Sequence, residues 1–293
     1  MLLDAIDHVV LATADLGAAA EPFERLGFTL TPRSRHSTGN ENRALFVGGT
    51  ESEFYIELLG VHDGARAARS AGWAQQKVAM DDGRGLSRIV FQAGRLEEVR
   101  EALRRDGVGS AMETVKREDG GIICDVLRVA SATGAGCDLG FLGYPEAAEA
   151  RLARHNAGGL FAHALPLRRL DHLAIIVPQL EETTRFWVEV LGVPVHGEVR
   201  GRGMVIRQMK VGDAIVELIG PETPESPVAS RAGGLISMAA FEVDDVDAAA
   251  AIARGRGFNA AEAAVGVLPG SRTSTISPDQ LSGVALQLID FGH

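Results

Sequence analysis

Two histidines, each directly preceded by an aspartate inside an apolar run, are the residues of this chain best suited to chemistry. They lie in Asp7-His8-Val9-Val10-Leu11 and in Asp171-His172-Leu173-Ala174-Ile175. Glu57 and Glu217 each stand at the centre of a later apolar run. Imidazole and carboxylate groups are good ligands for divalent Zn, Fe, Mn or Ni. His8 with Glu57, and His172 with Glu217, are therefore candidate metal ligands, one pair in each half.

Strand geometry constrains these side chains. Alternate residues of a strand share a face, so His172 is predicted to point away from Asp171. Glu57 and Glu217 have apolar neighbours on both sides, and a buried carboxylate is costly unless a cation or a metal ion faces it. A structural alternative stays open for the two histidines, whose rings could instead hydrogen-bond inside the core.

The composition limits the classes of partner. The 293 residues are 46% hydrophobic and 23% charged, which suits a chain with two ordinary domains. A formal net charge of -10 and a pI near 5.3 argue against a nucleic-acid surface, and no cluster of Lys and Arg suggests a membrane patch. Small molecules are the expected partners.

The cysteines and the first apolar stretch bear on the compartment. Cys124 and Cys137 have neither zinc-type spacing nor a disulfide pattern, which fits a reducing environment. Asp4, Asp7 and His8 interrupt the first apolar stretch, so we expect no signal peptide and no transmembrane helix. We therefore expect a cytoplasmic protein, as a monomer or a homodimer.

One order of elements recurs four times along the chain. A strand opens each unit, a helix follows, and further strands complete it. Helices are predicted over residues 15–26, 96–105, 180–191 and 246–254. Residues 28–30 are predicted as a strand and 32–42 as a polar loop, while 61–85 has no regular pattern. The order predicts an α+β fold of four βαβββ modules.

Two modules must pair to close one core, because the units are too long and too few for a solenoid. Each half is therefore predicted to close its own core. The resulting tandem domains cover residues 1–144 and 168–293, and a linker with a short helix covers 145–167.

Several motifs resemble the vicinal oxygen chelate superfamily of glyoxalases, epimerases and extradiol dioxygenases. The first half is similar to the glyoxalase-like domain, and the second half to methylmalonyl-CoA epimerase and its relatives. The matching motifs are Leu26-Gly27-Phe28, His36, Asn42-Arg43 and Tyr55-Ile56-Glu57-Leu58-Leu59, then Leu191-Gly192, Val211-Gly212-Asp213, Val216-Glu217-Leu218 and Phe241-Glu242-Val243. The resemblance implies curved mixed sheets around a cavity, with a divalent metal held by the first and fourth strands.

The resemblance also implies further ligands. The superfamily pattern has a second histidine three residues before the Phe of the fourth unit, and a last ligand, usually Glu, in the final strand. Met238 and Gln287 hold these positions. Methionine suits a hard divalent ion poorly, whereas an amide oxygen is an acceptable ligand. The implied metal set is therefore His172, Glu217 and Gln287, with Zn, Mn, Ni or Fe as the ion.

The corresponding positions of the first half are Arg88 and, by approximate register, Gly143. A protonated guanidinium cannot ligate a metal, but it can supply positive charge beside Glu57. We therefore expect a metal-free first half, in which Arg88 either pairs with Glu57 or binds an anionic ligand.

Three further polar residues are candidate substrate contacts. They are His36 and Asn42 in the polar loop, and Arg207 next to Gln208 in the second half. Ordinary loop and surface roles are the alternative for each of them.

Two classes of function follow from the resemblance. The first is a metal-dependent lyase or isomerase of the glyoxalase or epimerase type, in which Glu217 or a bound water moves a proton. Glu57 is the catalytic candidate of the first half. Extradiol ring cleavage fits less well, because its pattern needs two His and one Glu in the second half. Met238 and Gln287 replace two of these three residues. The second class is a metal-free binding or resistance-type protein, or a metal-free enzyme, of the same fold.

Overall fold

The strands and helices of the chain follow the predicted four-fold repeat. The computed structural model describes residues 2–48, 53–83, 85–130, 134–231 and 233–292. The first half contains β1 (Ala5–Ala12), α1 (Leu16–Leu26), β2 (Ser34–Arg35), β3 (Asn40–Gly48), β4 (Glu53–Val61), α2 (Gly64–Ala67), α3 (Trp73–Asp82), β5 (Leu86–Gln92), α4 (Leu96–Arg105), β6 (Ser110–Lys116), β7 (Ile122–Val129), β8 (Asp138–Gly143) and the linker helix α5 (Ala148–Ala157). The second half contains β9 (Arg169–Ile176), α6 (Leu180–Arg185) with a π-helical turn (Phe186–Val190), β10 (Val195–Gly201), β11 (Met204–Val211), β12 (Ala214–Pro221), β13 (Ile236–Glu242), α7 (Val246–Gly255), β14 (Ala264–Val265), β15 (Arg272–Ile276), a 3-10 turn (Pro278–Gln280) and β16 (Leu286–Asp290).

The strands form two eight-stranded mixed sheets with the same topology. Their orders are β2-β3-β4-β1-β5-β8-β7-β6 and β10-β11-β12-β9-β13-β16-β15-β14. The opening strands of paired modules run antiparallel, β1 with β5 and β9 with β13. Each opening strand is also parallel to the last strand of its own module. The predicted α+β fold of four βαβββ modules in two tandem parts is confirmed.

Each sheet has a helix face, packed against the helices, and an opposite inner face. On the helix faces one continuous hydrophobic core runs through both halves. Trp187 is fully buried, lies edge-on to Phe91 with ring centroids 5.8 Å apart, and donates from Nε1 to the carbonyl oxygen of Ala135 at 3.0 Å. Phe54 and Phe241 make a second ring contact between the halves at 5.9 Å. The prediction of a separate core for each half is therefore wrong.

Local sequence signals explain where the helices begin and end. Asp15 caps α1 by accepting a hydrogen bond from the Ala18 amide at 3.0 Å, and Asp245 caps α7 in the same way. α1 ends at Gly27, whose φ of 105° favours glycine. A Cβ at this glycine would lie 2.9 Å from the Ala164 Cβ, so the position also has no room for a side chain.

The structure differs from the predicted elements in three places. The predicted strand at 28–30 is absent from the described chain, and the predicted loop at 32–42 instead holds β2 and the start of β3, so Asn42 lies on a strand. Residues 61–85 contain α2 and α3. The buried side of α3 presents Gln75 and Gln76 rather than apolar residues, so periodicity gave no signal there. The helix predicted over 180–191 changes to a π-helical turn after Arg185.

Among the described helices, none has the length and apolarity required to cross a lipid bilayer.

Candidate functional site

β1 carries Asp7 and His8 side by side with both side chains buried. The pairing of β1 with β5 shifts register between Ile6 and His8, which places Asp7 in a β-bulge. The bulge lets Asp7 Oδ1 approach His8 Nδ1 to 2.6 Å. Burial alone would raise the pKa of Asp7, but the hydrogen bond and charge of His8 hold it below its usual value. Because a carboxylate only accepts, Nδ1 carries the proton and Nε2 is left free.

The second half repeats this arrangement. A register shift between Ala240 and Phe241 on β13 lies opposite Asp171, and Asp171 Oδ2 lies 2.7 Å from His172 Nδ1. Burial alone would lower the pKa of His172, but the hydrogen bond to Asp171 and the charge of Glu217 raise it. Simple alternation predicted opposite directions for Asp171 and His172, and the bulge is the reason that this prediction is wrong.

Glu57 and Glu217 face the free nitrogens of the two imidazoles. Oε2 of Glu57 lies 3.6 Å from His8 Nε2, and Oε2 of Glu217 lies 3.7 Å from His172 Nε2. Each second oxygen accepts an amide hydrogen bond. Asn42 donates to Glu57 Oε1 at 2.6 Å, and Gln208 donates to Glu217 Oε1 at 3.0 Å. Both glutamates therefore keep one oxygen, Oε2, directed toward the histidine.

A row of three residues crosses adjacent strands of the first half. Val10 is the register partner of both Glu57 and Arg88, so these charged residues flank it. Arg88 is 5% exposed, and its side chain makes neither a hydrogen bond nor an ion pair with any residue that the structure describes. Burial lowers the pKa of Arg88 to about 10, aided by the charge of Arg128 and opposed by Asp138 and Glu57. The direct Arg88–Glu57 pair, one of the two predicted roles, is not formed.

The same row of the second half contains no cation. Ala174 is the register partner of both Glu217 and Met238. Glu217 is 4% exposed, and His172 is the only described residue within ion-pair distance of its carboxylate. A buried carboxylate that has only an imidazole, and no Lys or Arg, within ion-pair distance is costly, so this position favours an added cation.

Gln287 extends the second-half site along the neighbouring row. Its register partner is Ala240, which pairs in turn with His172, so Gln287 and His172 lie on the inner face on either side of a small residue. In the first half the same register position is Gly140 rather than Gly143. Glycine has no side chain, so the first half lacks this donor.

The second-half residues fit a divalent ion through three donors, namely His172 Nε2, Glu217 Oε2 and the Gln287 amide oxygen. The 3.7 Å between the first two is close to the separation of two ligands that each lie roughly 2.1 Å from one ion. In the described part of the chain no three His, Cys, Asp or Glu side chains come together as a metal cluster. A site with three protein ligands at this position would therefore need the amide oxygen as its third donor.

Arg207 is not brought to this site. Its guanidinium donates to Glu198 at 2.8 Å and to Glu181 at 2.9 Å. Its neighbour Gln208 lies directly opposite Glu217 on β12 and donates a hydrogen bond to that carboxylate. Because adjacent residues of a strand point to opposite faces, Arg207 points away from Glu217. Sequence reasoning selected the charged residue, whereas the residue at the correct strand position is the amide.

Both tyrosines of the chain lie beside His8, and sequence reasoning assigned neither a role. Tyr55 stacks on the imidazole with ring centroids 4.4 Å apart, and Tyr144 donates to Asp7 Oδ1 at 3.0 Å. Two features of the sequence could have indicated these tyrosines. Tyrosine is rare in this chain, and Tyr55 shares a strand face with Glu57.

A cavity of about 510 Å³ opens above these rings. Its lining includes His36, Asn42, Tyr55, Tyr144, Arg151 and His155. Arg151 and His155 belong to the linker helix α5, which is fixed to β4 because both side chains pair with Glu53, at 3.0 and 2.7 Å. Burial lowers the pKa of His36, with the charge of Glu57 opposing it. Of the predicted substrate contacts, His36 and Asn42 therefore line this cavity.

Comparison with known proteins gives the family. Two tandem sheets of paired βαβββ modules, each with an Asp-His pair and a glutamate on the inner face, define the vicinal oxygen chelate class. The family model described as a glyoxalase-like domain matches residues 6–160, more than half of the chain. The model of the glyoxalase, bleomycin resistance protein and dioxygenase superfamily matches residues 169–276. The chain belongs to this glyoxalase superfamily, with a glyoxalase-like domain as its first half.

Individual relatives are similar over parts of the chain. Human mitochondrial methylmalonyl-CoA epimerase is 34% identical over 90 residues, which are 28% of this chain and 51% of the relative. The mouse enzyme is 33% identical over 90 residues, again 28% of this chain and 50% of the relative. The chain thus spans about half the length of the curated relatives it matches.

Solved structures match part or all of the chain. A hypothetical protein from Staphylococcus aureus superposes with a TM-score of 0.66 at 12% identity, over 98% of this chain and 99% of that chain, which shows the fold alone. Methylmalonyl-CoA epimerase from Mycobacterium tuberculosis is 26% identical with a TM-score of 0.38, over 42% of this chain and 87% of that chain.

Proposed function

We propose that the protein is a divalent-metal-dependent lyase or isomerase that acts on a small carbonyl or enolisable substrate in the second half. The observation that carries this proposal is the buried Glu217 carboxylate, which faces the free Nε2 of His172 and has no described Lys or Arg partner. A divalent ion is the cation that this pair of donors selects.

His172, Glu217 and Gln287 would hold the ion, which when bound supplies stabilisation of the negative charge on a carbonyl or enolate oxygen. Asp171 keeps the proton of His172 on Nδ1 and so directs Nε2 into the site. Gln208 holds Oε1 of Glu217 and leaves Oε2 for one of two roles, as a ligand of the ion or, where water takes that ligand position, as the acceptor of a substrate proton.

Side-chain size supports a substrate in the second half. Ala174 and Ala240 occupy the inner-face positions beside His172, whereas Val10 and Val90 occupy the same positions beside His8. The smaller side chains would leave more room for a ligand between the donors than the two valines do. The named activity of the curated relatives makes methylmalonyl-CoA the first substrate to test.

Metal analysis tests the proposal directly. Protein purified without an affinity tag would be measured by mass spectrometry as wild type, as His172→Ala and as the matched control His8→Ala. We expect about one equivalent of ion per chain, lost in His172→Ala and retained in His8→Ala. No metal in any of them, even after incubation with Zn, Mn, Ni and Fe, would reject the proposal.

Proton exchange tests the activity. Methylmalonyl-CoA in deuterated water should lose its α-proton signal faster with the wild type than with Glu217→Gln, because an amide cannot accept the proton. Glu57→Gln is the matched control. Equal exchange rates for wild type and Glu217→Gln would contradict the role of Glu217.

A metal-free function is the second candidate, either capture of a small hydrophobic molecule or catalysis with Glu57. The 510 Å³ cavity of the first half and Met238 in the place of a ligand support it. Metal analysis separates the two candidates, because only the first requires a bound ion.

We also propose that the protein works in the cytoplasm on a small molecule, as a monomer or homodimer. Cys124 and Cys137 are both buried and form no disulfide in the part of the chain that the structure describes, which suits a reducing compartment. The separate sheets support domains at residues 1–144 and 168–293 joined by 145–167.

A further inference from the structure

We propose that the inner face of the first half binds a small hydroxy-carboxylic acid, with its carboxylate on Arg88 and its hydroxyl on Glu57. The proposal starts from Arg88, a buried cation that is left without a hydrogen bond or an ion pair by the residues the structure describes. A buried charge in this state favours an added anion. The proposed site needs no metal and is separate from the second-half site.

The strand register fixes the distance that a ligand would span. Glu57 and Arg88 flank Val10 across three adjacent strands, so their Cα atoms are roughly 10 Å apart at the usual strand spacing. Side chains stand nearly perpendicular to a sheet, which explains why the two charges do not meet. A short molecule lying over Val10 can contact both groups.

The charges around Arg88 favour a carboxylate over a phosphate. Arg88 and Arg128 are both positive, but Arg128 is paired with Glu113, while Glu57 and Asp138 are close enough to act on the pKa of Arg88 as negative charges. A dianion would be repelled by these two acids. A monoanionic carboxylate matches a guanidinium in charge and in its planar, two-point geometry.

Part of the inner face between these polar groups is apolar and suits a short hydrocarbon segment. One cluster of buried residues forms this apolar part and comprises Val10, Leu59, Val90, Val115, Cys124, Val126 and Leu142. A ligand with an aliphatic or aromatic middle and polar ends matches this pattern of lining groups.

Glu57 specifies the second polar group of the ligand. Its Oε1 already accepts from Asn42 at 2.6 Å, and its Oε2 is 3.6 Å from His8 Nε2 and so remains an open acceptor. An ionised carboxylate only accepts, so the ligand must donate there, as a hydroxyl does. Asn42 also lines the 510 Å³ cavity and donates to Glu57, so Glu57 lies directly behind the wall of that cavity.

Calorimetric titration of chelator-treated protein tests the proposal without interference from a metal. The probes are 4-hydroxybutanoate, butanoate, 1-butanol and inorganic phosphate. The variants are Arg88→Met, Arg88→Lys, Glu57→Gln and the control Arg100→Met, which changes an exposed arginine on α4. Circular dichroism would verify the fold of each variant.

We expect 4-hydroxybutanoate to bind the wild type and Arg100→Met equally, and to bind Arg88→Met at least about tenfold more weakly. If Arg88→Met does not fold, Arg88→Lys should still weaken binding, because an ammonium lacks the two-point geometry. Glu57→Gln should bind butanoate as well as the wild type does, but lose the preference for 4-hydroxybutanoate over it.

Three results would overturn the proposal. The first is the absence of binding by either carboxylate, and the second is equal affinity in all the Arg88 variants. The third is binding of phosphate alone, which would assign the site to a different anion. The metal content of the second half does not enter these outcomes, so the two proposals fail separately.

Discussion

The two halves place the same Asp, His and Glu residues on equivalent strands but differ in the residues beside them. Both have an Asp-His pair held by a β-bulge and a glutamate whose Oε2 faces the free imidazole nitrogen. One half then has Arg88 and Gly140 where the other has Met238 and Gln287. The two copies of one scaffold thus differ around their buried carboxylates. Glu57 lies in the same row as the cation Arg88, whereas Glu217 has no cation in its row and has the amide Gln287 in the neighbouring row. The neighbours, rather than the shared His and Glu, distinguish the chemistry of each half.

The largest expected effect comes from making the second half resemble the first. Met238→Arg should abolish binding of the divalent ion, because it adds a fixed cation beside Glu217. Metal content of the purified variant is the measurement. Met112→Arg adds the same charge at an exposed position and should keep the metal. A folded Met238→Arg protein that retains a full equivalent would contradict the comparison.

The shared core should respond strongly to loss of the Trp187 ring. Trp187→Ala should lower the free energy of unfolding by about 3–5 kcal/mol, because the side chain is fully buried and contacts Phe91 of the other half. Urea denaturation followed by circular dichroism measures it. Trp187→Phe, which keeps much of the ring packing, should cost less. A wild type that unfolds in two separate steps would show that the halves are less coupled than their shared core indicates.

The two aspartates that hold the histidines should differ in their effect on metal affinity. Asp171→Asn should weaken metal binding by about 10–100-fold, because the partner of a ligating imidazole orients it and raises its basicity. Competition with a chromophoric chelator gives the affinity. Asp7→Asn is the matched change in the first half and should leave the affinity unaltered. Equal losses in both variants would place the metal elsewhere.

The smallest expected effect concerns the scaffold, which the halves share. Asp15→Ala and Asp245→Ala should each cost about 1 kcal/mol of stability, because each removes a hydrogen bond to a helix N-terminus. Thermal or urea unfolding measures both. Asp15→Asn and Asp245→Asn keep a capping oxygen and should be close to neutral. A large difference between the two alanine variants would show that the scaffolds have diverged along with the sites.

The sequence was sufficient for the repeated order of elements, because caps and glycine stops such as Asp15 and Gly27 are local signals. The sequence also identified the candidate site residues, because an ionisable residue is unusual inside an apolar strand. These residues are His8, His172, Glu57 and Glu217. The sequence was not sufficient for the orientation of the side chains.

Orientation depends on register, which is set by pairing between distant strands. The bulges that join Asp7 to His8 and Asp171 to His172 arise from the partners β5 and β13. The choice of Gln208 over Arg207 depends on where β11 pairs with β12. The alternation of a single strand contains none of this information.

The shared core also determines how the molecule could change over evolutionary time. A symmetric dimer of identical chains must carry every substitution twice, at both copies of a site. Here the two copies are joined through α5 and packed across Trp187 and Phe91, so a substitution enters one copy only. Arg88 and Met238 can therefore coexist at equivalent positions, and one copy is free to acquire a new ligand while the other keeps its own.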